Sequence, residues 1–491
     1  MDATSQVTTA HTHLRPHQTA THIPIQQTHC NPKAHTNLLN TPSLLYHINP
    51  YSEINTWSGA DCLVLNRGQI YEDDPYLKSA CFHQYLFGYE LTDTVLVLTV
   101  DGKCIVLATK KKCEFLSPAK ENIPEGSSIT GLTLLSRNKA DNNAENYATL
   151  FKEAGLDKDP AATNGDSKKK VGIFRKEWGN EDCSSGAILT PWQKKIDDAD
   201  HVELVDVTPG ISLVMAVKDA AELDVLKKSS VLSNKVMKHG VVKRLENIID
   251  EEKSVTHEEL AAEVDAIIED PSKIKLNVPE DQVSSCYFPI VQSGGEYDVK
   301  VSAQSSDKTL KYDIITVSLG ARYLQYCSNI ARTFLIDPPK AVSNTYETLL
   351  AAQEACLKAM QPGNKIKEVY GAAVEQFQKE GREDLVSCLP KNIGFSIGLD
   401  FRDPNLVLNA KSTVTIREGM VFNLSIGLNK IALSDSAKAN CNAKSEVSSI
   451  GMVANIYIMG VLVATVAYSL FTLYPPLFLC IYRSRIWTLM P

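Results

Sequence analysis

Apolar residues recur along residues 51–430 with two different periods. In "DTVLVLTV" and "GKCIVLAT" they run almost unbroken on either side of Asp101-Gly102, which predicts two strands joined as a hairpin. "KKVGIFRKEW" and "HVELVDVT" predict further short strands, and "DKDPAATNGDSKKK" before them reads as a surface loop. A helical period takes over at "DAAELDVLKKSSVLSNKVMKHGVVKRLENIID". Leu223, Leu226, Val231, Val236, Val241, Leu245 and Ile249 share one stripe there, which core packing explains. Thr256 and Glu259 form a capping box that opens the next helix. Strands are expected from about 286 to 336, helices from about 341 to 385, and strands again to about 428.

The two ends break this pattern. Residues 1–50 hold seven of the eleven histidines among Thr, Gln, Asn and Pro. They show no period and read as a disordered His/Thr-rich segment. Residues 431–491 contain a stretch from Val447 to Tyr482 without a charged residue. An apolar segment at about 450–473 is long enough to cross a hydrocarbon core of about 30 Å, with Arg483 and Arg485 at its far end. Two readings stay open: a transmembrane tail, or a translated intron or joined gene model.

Composition narrows the classes. With 491 residues, 44% hydrophobic and 22% charged, the chain is expected to fold as a globular protein of two or three domains. The formal net charge of −8 speaks against a general nucleic-acid binder and suits basic protein partners. The lysine runs at 110–112 and 168–170 read as solvated faces. The twelve cysteines are scattered without a C-x-x-C pair, which argues against a zinc module and for buried reduced thiols.

The stretch 318–334, "SLGARYLQYCSNIARTF", reads as a β-hairpin. With its turn on Tyr323-Leu324, Ser318 and Asn329 oppose each other directly, Cβ atoms about 4.5–5.5 Å apart. Two carboxylates there would bridge a pair of divalent cations about 3.5–4 Å apart. A serine and an asparagine do not.

These residues resemble the metallo-aminopeptidase (pita-bread) pattern, in which two Asp ligands stand at the positions of Ser318 and Asn329. The resemblance puts the family's His ligand at Phe395 in "GFSIGLDFRD" and a later substrate-contacting His at Arg402. It puts a Glu ligand at Ser425 in "GMVFNLSIG". The last Glu ligand belongs to a final strand that the sequence does not display, the tail standing in its place. Ser, Asn and Phe cannot replace carboxylates and an imidazole around hard cations. A degenerate pocket is therefore expected, with no cofactor, metal or catalytic residue. Asp313, Asp337, Asp400 and Asp403 are too scattered to assemble a substitute.

"QYLFGYELTDTVLVLT", "MAVKDAAELDVLKKSS", "FPIVQSGGEYDVKVSAQSSDK" and "SLGARYLQYCSNIARTFLIDP" together resemble the large-subunit family of the FACT histone chaperone, over about residues 51–430. The resemblance implies an α/β (α+β) fold of two lobes: a small N-terminal α/β lobe, 51–211, and a pita-bread domain, 212–430. It implies a nuclear, chromosome-associated protein-interaction module that assists transcription, replication and repair. Its partners would be histones and a small high-mobility-group-type subunit, whose docking region in the family has no counterpart here. Sequence-specific DNA binding is not expected, and membrane contact only through the tail. The alternatives are an active metal-dependent aminopeptidase and a tail-anchored membrane protein with a peptidase-like domain.

Overall fold

The computed structural model describes residues 57–71, 74–121, 123, 129–157, 168–295, 297–298, 300, 302–432, 449–458, 479–482 and 485–488, the last three by backbone. The chain divides into units 1–36 and 37–491, and every described residue lies in the second. The expected disordered segment, 1–50, and most of the expected loop before residue 168 lie outside the described residues.

β1 (Cys62–Val64), β2 (Val95–Thr99), β3 (Lys103–Ala108), β4 (Gly131–Ser136), β5 (Lys169–Ile173) and β6 (Val202–Asp206) form one sheet in the order β4-β3-β2-β1-β5-β6. β2 and β3 pair antiparallel about the expected turn, where Gly102 adopts φ 87°. The central strands β1, β2 and β3 are apolar on both sides because both of their faces are covered. Leu96, Leu98, Cys104 and Val106 meet α1 (Lys78–Phe87) and α2 (Lys110–Glu121) on one face. Val95, Val97, Ile105 and Leu107 meet α3 (Ala144–Glu153) on the other. α4 (Glu181–Ser184) leads into α5 (Leu189–Asp197), which adds Trp192 and Ile196 to this second face. Asp93 Oδ1 accepts the Ile188 N–H at 3.0 Å, satisfying a donor at the start of α5. α6 (Thr208–Ala216) carries the chain out of this lobe. Its Ile211, Val214 and Met215 belong to the first core and its Ala216 to the second, so the lobes join within α6.

The expected long helix is one continuous rod: α7 (Ala220–Lys235), a π-helical stretch (Val236–Val242) and α8 (Lys243–Asp250). Asp219 and Glu222 cap its start reciprocally, and Thr256 and Glu259 do the same for α9 (His257–Glu269). These helices cover β8 (Ile290–Ser293), β9 (Ile314–Leu319) and β12 (Ile330–Ile336). β17 (Leu479–Tyr482) and β18 (Arg485–Thr488) extend that sheet in the order β18-β17-β12-β9-β8. α10 (Lys340–Ala359) and α11 (Ile366–Lys379) cover a second sheet from the other side. It contains β13 (Asn392–Ser396), β14 (Val407–Asn409), β15 (Phe422–Ala432) and β16 (Ser449–Ile458), in the order β14-β13-β15-β16. A small sheet, β11-β10-β7, is made by β7 (Val283–Ser285), β10 (Ala321–Tyr323) and β11 (Tyr326–Cys327). Leu226, Cys286, Cys327, Phe395, Ile397, Phe401 and Val421 form a separate core cluster, and the site is built around it.

The expectation of a missing final strand is wrong. β16 pairs with β15 from Phe422↔Ile458 to Ala432↔Ser449, so the backbone of "MVFNLSI" has a partner strand. The partner comes from the apolar stretch that read as the start of a membrane span. A run of apolar residues fits a covered strand as well as a membrane helix, and pairing decides between them. Residues 459–473 of the expected span lie outside the described residues. Among the described residues no helix is long and apolar enough to cross a membrane.

Candidate functional site

The hairpin exists, but its register differs from the expected one. Tyr323 pairs with Tyr326 and Arg322 with Cys327, so the turn is Leu324-Gln325, both at positive φ (46° and 71°). A turn with two left-handed centres matches the twist of the flanking strands, and here it lies one residue later than expected. Ser318 consequently opposes Ala331, and Asn329 is its diagonal neighbour rather than its direct partner.

Tyr287 joins the two positions nonetheless. Its hydroxyl lies 2.6 Å from Ser318 Oγ and donates to Asn329 Oδ1 at 2.5 Å. Burial pushes the phenol well above its usual pKa, so it stays protonated and able to donate. Asn329 is 1% exposed, and its Nδ2 has no hydrogen-bond partner among the described residues. The Tyr287 ring stands 5.0 Å from Phe401, which also lies 5.6 Å from Phe395 and 5.9 Å from Tyr76. These separations fall in the favourable range for tilted aromatic pairs.

Phe395 lies on β13 opposite Asn423 of β15, so Phe395, Asn423 and Ser425 share a sheet face. Asn423 is fully buried, with neither amide atom partnered among the described residues. Ser425 opposes Asn455 of β16. Arg402 is exposed, with its guanidinium carbon 5.8 Å from the Phe395 ring centre. The structure thus links Ser318 and Asn329 through Tyr287, and Phe395 and Arg402 through Phe401 and its turn. Ser425 joins them only as a face neighbour of Phe395.

The scattered aspartates resolve in an unexpected way. Asp400 and Asp403 converge on Lys78, the first residue of α1 in the other lobe; Lys78 Nζ donates to Asp400 and lies 3.0 Å from Asp403 Oδ2. Burial opposes the charge on Lys78, but the two carboxylates outweigh it and hold the ammonium above its usual pKa. Burial likewise opposes the charge on Asp403, but Lys78, the Ser212 hydroxyl and the Asn405 N–H together outweigh it, leaving Asp403 below its usual range. Tyr76 Oη donates to Cys286 O at 2.8 Å, tying the lobes a second time. Sequence reasoning missed Tyr287, Phe401, Tyr76 and Lys78. Lys78 and Asp400 lie 322 positions apart, a separation at which no sequence pattern signals contact.

The pita-bread architecture implies divalent metal, and the residues do not fit it. A phenol, a hydroxyl, a carboxamide and a phenyl ring stand where carboxylates and an imidazole would be needed. Asp400 and Asp403, which flank Phe401, are engaged by Lys78. Among the described residues no group of three or more His, Cys, Asp or Glu is placed to hold a metal ion. Nine cysteines are described as thiols, eight of them buried, as expected for inert core cysteines.

Fold and site together define a protein of peptidase-like, pita-bread architecture. Metallopeptidase family M24 matches residues 224–453, and the FACT complex subunit SPT16 N-terminal lobe domain matches residues 40–210. The family match therefore runs past residue 430, into β16. FACT complex subunit SPT16 from Oryza sativa subsp. japonica is 37% identical over 382 residues, covering 76% of this chain and 34% of that protein. The Dictyostelium discoideum protein of the same name is 34% identical over 430 residues, covering 83% and 38%. The solved N-terminal domain of FACT complex subunit SPT16 from Cicer arietinum superposes with a TM-score of 0.73 at 34% identity, covering 86% of this chain and 94% of that one. An X-Pro aminopeptidase from Thermotoga maritima, at TM-score 0.55 and 15% identity, covering 82% and 93%, shares the fold alone. The chain belongs to the FACT complex subunit SPT16 family, and it spans about a third of the length of the curated relatives it matches.

Proposed function

We propose that this chain is a non-catalytic histone- and protein-binding module of a FACT-type histone chaperone. It would act in the nucleus, in nucleosome disassembly and reassembly during transcription, replication and repair. The observation that carries this reading is the similarity to an SPT16 N-terminal domain across both lobes, covering 94% of that domain. The refilled positions Ser318, Asn329, Phe395 and Ser425 support its non-catalytic half, because no metal-activated water can form on them. The net charge of −8 favours encounter with basic histones.

The test is binding of the purified chain to core histones, measured calorimetrically at physiological and at doubled salt. Saturable binding that survives the higher salt is expected. Binding no stronger than that of an unrelated protein of equal charge would overturn the reading.

A further inference from the structure

Phe401 fills the space between Tyr287, Phe395 and Tyr76, beside the positions that would carry metal ligands. It sits in the short turn 398–403, and the residue before it and the second residue after it are Asp400 and Asp403. Both carboxylates reach across the lobe junction to Lys78. Lys78, Asp400 and Asp403 are 8%, 7% and 4% exposed, so the three charges are out of water. Lys78 is the ion-pair partner of Asp400, with the Cys81 thiol and the Lys218 ammonium as its further polar neighbours. Under the turn lies Cys327, whose N–H donates to Gly398 O at 2.7 Å and whose Sγ is 3.9 Å from Leu399 O. Cys286 is buried in the same cluster.

We propose that the 398–403 turn is a plug held by a latch. The Lys78 ion triad keeps Phe401 in the former active-site pocket, and withdrawal of Lys78 releases it. Without Lys78 the two carboxylates would stay buried with only the Asn405 N–H and the Ser212 hydroxyl on Asp403, the Cys81 thiol on Asp400 and the Lys218 ammonium nearby, a deficit of compensation relieved by swinging the turn toward water. Phe401 must then leave with its flanking aspartates, because they are in the same turn. Contact between the lobes is thereby coupled to occupancy of the pocket. The proposal concerns the conformation of the chain itself and stands apart from the histone reading, since its test uses no partner.

Thiol labelling under native conditions tests it, with each cysteine quantified by mass spectrometry. Cys62, in the first lobe's core, and Cys356, in the second's, serve as internal controls. In the unaltered chain Cys327 and Cys286 should label as slowly as the controls. Lys78→Met, and separately the pair Asp400→Asn with Asp403→Asn, should speed labelling of Cys327 and Cys286 at least about tenfold while the controls stay slow. Phe401→Ala should do the same with the ion triad intact. The proposal fails if Cys327 stays protected in both ion-triad variants. It also fails if Cys327 is labelled only in step with Cys62 and Cys356, for then the triad holds the fold and not the plug.

Discussion

The Tyr287 hydroxyl donates to Asn329 Oδ1 at 2.5 Å. The same oxygen lies 2.6 Å from Ser318 Oγ, so one phenol joins two positions that the sequence resemblance to metallo-aminopeptidases assigns to ligands. This neutral hydrogen-bonded chain needs no counter-ion in a buried place.

Removing that hydroxyl should be felt as stability. Tyr287→Phe leaves Asn329, already without a partner on Nδ2, with its carbonyl oxygen unpartnered as well. A loss of about 1–3 kcal/mol is expected from the midpoint of urea unfolding with an unchanged slope. A loss below about 0.5 kcal/mol would show that Asn329 finds another donor.

The pocket should not cleave peptides. Loaded with manganese, cobalt or zinc, the chain should release no N-terminal amino acid from short peptides. Ser318→Asp with Asn329→Asp should not create the activity, because neither Phe395 nor Ser425, which the peptidase resemblance assigns to the next ligands, offers an imidazole or a carboxylate. Metal-dependent turnover that disappears on mutating a residue of this pocket would contradict the assignment.

Acid should weaken the first lobe through His83. Full burial lowers its imidazole from 6.5 to about 4, while Nε2 donates to Leu65 O at 3.1 Å. The unfolded chain binds the proton more readily, so stability is complete above pH 6.5 and is lost as pH falls from 6.5 toward 4. The loss attributable to this group is on the order of 3 kcal/mol. His83→Gln should flatten that part of the stability–pH curve; an unchanged curve would remove His83 as the cause.

Strand β16 should matter to the second lobe. Ending the chain at residue 448 exposes the edge of β15 along the pairs from Phe422↔Ile458 to Ala432↔Ser449. Hydrogen exchange of the β15 amides should rise by orders of magnitude, while β2 and β3 in the other lobe keep their protection. Equal protection of β15 with and without residues 449–458 would show that the pairing contributes nothing.

Local patterns determined much of this protein. The unbroken apolar runs of β2 and β3, the turn at Asp101-Gly102, the rod over 220–250 and the capping box at Thr256 all rest on neighbours a few residues apart. The residue types at Ser318, Asn329, Phe395 and Ser425 were read as directly, because a side chain's identity is a property of one residue; that these are former ligand positions is what the peptidase resemblance implies.

Tertiary structure decided what distance in sequence conceals. Leu324 and Gln325 are not residues that announce a left-handed turn, so the hairpin register could only be fixed by pairing. The apolar residues 449–458 became a strand because β15 offered an edge to pair with. Tyr287 found Asn329, and Lys78 found Asp400 and Asp403, only once the chain had closed around them. Period and composition describe how a segment meets water; which polar group compensates another in a dry interior depends on coordinates that segments far apart in sequence fix jointly.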